Sequence, residues 1–229
     1  MVNPYGYTVS VALFDYLPVL LSGLGALLLS RASWRRAPAV RPYALLGTAF
    51  VVAGGACKAT WKLLVALEVG DFERLEQALF PLLATGFSLL AWSLLSGVRE
   101  RAMAWWPFAT VWGLAVTASL AQQTVRPLFF TTILMSLAVT AYAIRLAQKG
   151  HDRPAIWLFA VQVIGVFGLV PLQRLEEQTL GVQWLEESIN TVAQGAFALG
   201  AWRVLRALSA RDAVPAGDAP AGSREGNQA

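Results

Sequence analysis

Seven stretches of about twenty predominantly apolar residues, at 11–30, 43–67, 77–96, 103–120, 128–147, 155–172 and 183–205, occupy most of this 229-residue chain. At 1.5 Å rise per residue, each is long enough to cross a hydrocarbon layer of about 30 Å as an α-helix. A soluble helix buries one face and leaves the other polar, whereas these stretches are apolar on every side. Composition agrees: 56% of residues are hydrophobic and 14% charged, with a mean hydropathy of +0.54. A soluble domain carries about 25% charged residues. The expected class is an all-α integral membrane protein, a seven-transmembrane helix bundle spanning residues 1–206. The first stretch is expected to stay as a helix, because residues 1–10 hold no Lys or Arg and no small-residue cleavage site follows.

Orientation follows from the basic residues, which cytoplasmic loops retain. Thirteen fall on one side of the seven stretches: Arg31, Arg35, Arg36, Arg41, Arg99, Arg101, Arg145, Lys149, Arg153, Arg203, Arg206, Arg211 and Arg224. The other side, with its half of the membrane, holds five: Lys58, Lys62, Arg74, Arg126 and Arg174. The first side is read as cytoplasmic. An odd number of crossings then leaves the N-terminus outside and the C-terminus in the cytoplasm, a multi-pass arrangement suited to a plasma or inner cell membrane. The net charge of +4 is explained by these short basic loops, so no nucleic-acid partner is expected. Residues 207–229, rich in Ala, Gly, Pro and Ser, show no apolar period and read as a disordered cytoplasmic tail.

The chain echoes itself about 110 residues apart. Leu75-Glu76 through Ala91-Trp92 returns as Leu185-Glu186 through Ala201-Trp202, with Phe87 matching Phe197 and Leu89 matching Leu199. Arg41-Pro42 opens the second stretch as Arg153-Pro154 opens the sixth, and Gly55 matches Gly165. The landmarks suggest a three-helix unit duplicated in parallel, at 11–97 and 128–206, joined by the helix at 103–120. This layout resembles the heptahelical three-plus-one-plus-three superfamily of SWEET sugar transporters, PQ-loop proteins and microbial rhodopsins. The resemblance covers topology over most of the chain. The motifs depart from it: Pro171-Leu172-Gln173 is not the Pro-Gln pair, Pro81 sits in a Phe-Pro-Leu-Leu context, and the last stretch lacks the lysine that binds retinal.

Candidate chemistry collects in the outer half of the expected membrane. Glu186, Asn190 and Gln194 recur every four residues and share one face of the seventh helix. Lys58 and Lys62, also four apart, descend the second helix, Asp15 lies on the first, and Gln162 and Arg174 lie on the sixth. Ionisable groups inside a membrane usually face a bundle interior or a watered cavity, often in pairs. The bland alternative is that Lys62, Glu186 and Asp15 snorkel to the interface while the amides bond helices together. Lys58 is too deep to snorkel, and a Lys58–Glu186 ion pair is the sharpest structural expectation. Six tryptophans near predicted helix ends (Trp34, Trp105, Trp106, Trp157, Trp184, Trp202) read as interface anchors, and Gly23, Gly25, Gly54 and Gly55 as points of close helix approach.

A lone cysteine, Cys57, and a lone histidine, His151, leave no thiolate or imidazole cluster for a metal. Phosphate loops and nucleophile elbows are absent from the sequence, and no cofactor is expected. The function expected is binding or transport of a small molecule through an outward-opening cavity formed by Asp15, Lys58, Lys62, Gln162, Glu186, Asn190 and Gln194. A sensor signalling through a protein partner is the alternative. A lipid-modifying enzyme using Glu186 or Glu187 as acid or base ranks last, because no nucleophile accompanies them. The bilayer is the expected partner, and an oligomer is compatible.

Overall fold

The structure is a computed structural model that describes residues 6–172 and 179–212, and every regular element among them is helical. In order they are α1 (Val9–Phe14), α2 (Tyr16–Arg36), α3 (Arg41–Ala66), α4 (Glu73–Gln77), α5 (Leu79–Arg99), α6 (Trp106–Gln122), α7 (Arg126–Gly150), α8 (Arg153–Leu172) and α9 (Leu180–Asp212). A 3₁₀ turn, Pro38–Val40, leads into α3. Seven of the helices are long, one for each apolar stretch. Four spans are long and apolar enough to cross a membrane: Val9–Arg36, Pro38–Ala66, Glu73–Arg99 and Arg126–Gly150. Two of the other long helices fall short on length or apolarity. Helix α6 has 17 residues and α9 carries a line of polar groups through its first half.

Two short helices arise from proline. Pro18 lacks an amide hydrogen and its ring crowds the carbonyl four residues back, that of Phe14, so α1 ends at Phe14 and the chain turns at Asp15 before α2. Pro81 acts in the same way on Gln77, ending α4 with Ala78 as the junction to α5. Helices α3, α5, α6 and α7 all close with a left-handed residue, Glu68, Glu100, Gln123 and His151 respectively. Each is followed by an amide that reaches back five residues, as from Arg101 to the Ser96 carbonyl and from Asp152 to the Ala147 carbonyl. Asp152 then starts α8, its carboxylate accepting from the Ala155 amide at 3.0 Å.

Six long helices close a ring in the order α2, α3, α5, α7, α8, α9, and α6 lies outside it against α5 and α7. The tightest crossings occur where side chains are missing. A Cβ on Gly86 would sit 2.8 Å from the Gly47 carbonyl oxygen, so α3 and α5 touch backbone to backbone. A Cβ on Gly25 would meet the Phe197 ring at 2.5 Å, which sets the α2–α9 spacing. One half of the ring is solid, filled by Leu29, Leu90, Leu94, Leu146 and Phe159, each fully buried. Outside, Leu20, Leu114, Phe130, Trp157, Ile164 and Val192 stand exposed, an apolar girdle that water would not favour.

One sequence expectation needs correction here. Helix α9 runs on to Asp212, so residues 207–212 are helical rather than tail, and 213–229 lie outside the described residues. Gln173 and Arg174 lie outside them as well.

Candidate functional site

A cavity of about 340 Å³ occupies the other half of the ring and is lined by residues from all six of its helices. Every one of the seven residues singled out in the sequence borders it: Asp15, Lys58, Lys62, Gln162, Glu186, Asn190 and Gln194. Helix α6 contributes nothing to the wall.

Its charged end is built where α2, α3 and α9 meet. The turn at Asp15, made by Pro18, presents that carboxylate to α3. Lys62 Nζ lies 3.0 Å from Asp15 Oδ2 and 2.6 Å from Glu187 Oε1, bridging the two. All three are buried, at 7% exposed for Asp15, 8% for Lys62 and 5% for Glu187, so none snorkels. The ammonium also lies 5.6 Å from the Tyr7 ring centroid, within reach of a cation–π contact. Nearby, Tyr16 and Thr60 share a 2.8 Å hydroxyl hydrogen bond that ties α2 to α3.

The expected Lys58–Glu186 ion pair does not form. Lys58 lies one helical turn further into the bundle than Lys62 and joins no salt bridge among the described residues. Glu186 Oε1 is buried without a hydrogen-bond partner among them, as is Glu187 Oε2. The reason is angular. The residues Gln183, Glu187, Asn190 and Gln194 follow the four–three–four spacing of an inward-facing seam, whereas Glu186 sits 100° round from Glu187. Glu187, which the sequence reading left out of the cavity set, therefore pairs with Lys62, and Lys58 and Glu186 are left without the expected bridge. The signal was present in the burial-competent spacing from Gln183, which is itself 4% exposed.

Beyond the charges the two walls differ. On the α7, α8 and α9 side, Ser136, Thr140, Gln162, Asn190 and Gln194 offer polar groups. Thr140 Oγ1 donates to Gln162 Oε1 at 3.2 Å and Gln194 Nε2 to Asn190 Oδ1 at 3.4 Å, which leaves the Asn190 amide hydrogens and the Gln194 oxygen for other partners. On the α2, α3 and α5 side the wall is Val19, Val51, Leu83 and Phe87. A second crevice, about 370 Å³ and mostly aromatic, opens between α5 and α6 beside Trp92, Trp105 and Trp112. Its indoles at Trp92 and Trp112 are already bonded, to the Met103 carbonyl and to Thr85.

Among the described residues no group of three His, Cys, Asp or Glu is arranged to hold a metal ion. The first cavity presents charge at one end, neutral hydrogen-bonding groups interleaved with apolar side chains on the α7, α8 and α9 side, and mostly hydrocarbon on the other. Such an arrangement suits recognition of a small molecule with a polar head. In comparisons with known proteins, no family model, curated protein or solved structure matches this chain.

Proposed function

We propose that this chain is a seven-helix protein of a cell membrane, N-terminus outside, which binds or transports a small molecule in the cavity bordered by Asp15, Lys58, Lys62, Glu186, Asn190, Gln194 and Gln162. The observation that carries the reading is convergence. Residues scattered from position 15 to 194 border one cavity, the size of which falls within the usual range of ligand pockets.

The charge split supports the orientation. With the basic helix ends Arg35, Arg36, Arg99, Lys149 and Arg211 in the cytoplasm, the Asp15 end faces out and the solid core closes the inner half. The reading includes a duplicated unit of α2-α3-α5 and α7-α8-α9. Under exchange of the two units, the contact of α2 with α9 becomes that of α7 with α5, and α3 with α5 becomes α8 with α9. The cavity lies between the units.

The test uses a Cys57→Ala background with a single cysteine at Ser136, deep in the polar wall. A small, charged, membrane-impermeant thiol reagent should label it from outside in whole cells, and denaturing the purified protein should release a stoichiometric small molecule. Labelling solely in inverted vesicles, or no labelling at all, overturns the outward cavity.

A further inference from the structure

We propose that the cavity takes a small zwitterion, a molecule carrying an amine and a carboxylate on an apolar body, with Lys58 holding the carboxylate and Glu186 the amine. The inference rests on the reading of the cavity as a binding site and names the ligand class for it.

Lys62 is committed to Asp15 and Glu187, engaging Asp15 Oδ2 and Glu187 Oε1. Two further ionisable groups of opposite sign border the same cavity without a salt bridge among the described residues: the Lys58 ammonium and the Glu186 carboxylate, whose Oε1 is buried and unbonded. Charges inside a membrane protein are normally paired, and these two border one cavity yet are not joined. A ligand bearing both complementary charges satisfies both at once. A simple acid leaves Glu186 unmet, and a simple amine leaves Lys58 unmet. The apolar body is set by the rest of the cavity. From Lys62 to Val51 along α3 the lining extends eleven residues, about 16 Å, and beyond Lys58 the α2-α3-α5 wall offers Val51, Leu83 and Phe87. Opposite them, Asn190 and Gln194 keep hydrogen-bonding capacity for an amine or carboxylate oxygen at the head.

The probes are phenylalanine, 2-phenylethylamine and 3-phenylpropanoate, which share one body and differ in their charged ends. Binding is measured by calorimetry on the full chain in lipid nanodiscs at pH 7. Wild type is expected to bind phenylalanine at least tenfold more tightly than either single-ended compound. In Lys58→Met the advantage over 2-phenylethylamine should vanish, and in Glu186→Gln the advantage over 3-phenylpropanoate should vanish. Equal affinity for the three, or no binding of phenylalanine, in wild type overturns the zwitterion and needs no variant to fold. Such a result with outside labelling of the Ser136→Cys protein intact refutes the ligand class alone, whereas loss of that labelling refutes the cavity reading beneath it.

Discussion

Lys62 illustrates how a buried cation is tolerated: two carboxylates within 3.0 Å replace the hydration it gives up. Removing it strands Asp15 and Glu187 against each other inside the bundle. Lys62→Met is therefore expected to destabilise the protein by about 3–5 kcal/mol, and adding Glu187→Gln to restore part of the loss. Unfolding in mixed detergent, followed by helical circular dichroism, reads the cycle; strict additivity of the two substitutions would contradict the bridge. Lys58→Met should behave differently. That ammonium has no ion pair to lose, so stability is expected to stay within about 1 kcal/mol of wild type or to rise. Only one of two lysines four residues apart is structural, a distinction that rests on Glu187 rather than on depth.

Among the elements, α3 and α5 cross at the Gly47–Gly86 contact, where a new methyl would lie 2.8 Å from one backbone atom and 2.9 Å from another. Backbone cannot rotate aside, so the helices must part. Gly86→Ala is expected to cost about 1–3 kcal/mol in the same unfolding measurement, and an unchanged midpoint would mean that the crossing is looser than described. The far end of α5 is held differently. Glu100, left-handed with φ 58°, accepts from Lys149 at 2.8 Å and from Arg36, joining α5 to α7 and α2. The Lys149 and Arg36 hydrogen bonds hold its carboxyl at about 2, below the ordinary 4.5. Because the folded value is the lower one, this contribution is complete above about 4.5 and is lost as the pH falls toward 2. Glu100 is half exposed, so water and salt screen the bridges and the effect is small, about 1 kcal/mol or less. Glu100→Gln should flatten the decline in melting temperature between pH 4.5 and 2; an identical decline in both proteins would remove the bridges from the account.

At the scale of the whole molecule, the ring of six helices with α6 outside gives the fourth apolar stretch a peripheral place, as a link between two three-helix units would have. The proposed orientation rests on the thirteen-to-five distribution of basic residues and has a direct check. A fluorescent protein fused after Ala229 should mature and fluoresce, whereas alkaline phosphatase at the same position should be inactive. The reverse pattern would turn the molecule over, and the charged end of the cavity with it.

The seven long helices were legible from the apolar stretches alone, because a long apolar run folds as a helix that bonds its backbone groups within its own segment. The inward position of Asp15, Lys58 and Gln194 was legible for a similar reason, since a charge or amide in an apolar stretch has few tolerable places. Helix ends were less legible: Glu68, Glu100, Gln123 and His151 close their helices without the glycine that usually marks such a site. The breaks at Asp15 and Ala78 were written in Pro18 and Pro81 but hidden inside apolar runs. Pairing was decided by the tertiary structure alone. Lys62 meets Glu187, and Glu186 stays unpaired, because the rotation of α9 about its axis depends on how Phe197 and Ala198 pack against Gly25 on α2. A hundred degrees of rotation separates neighbouring residues on a helix, and no pattern within one helix specifies how its partner turns it.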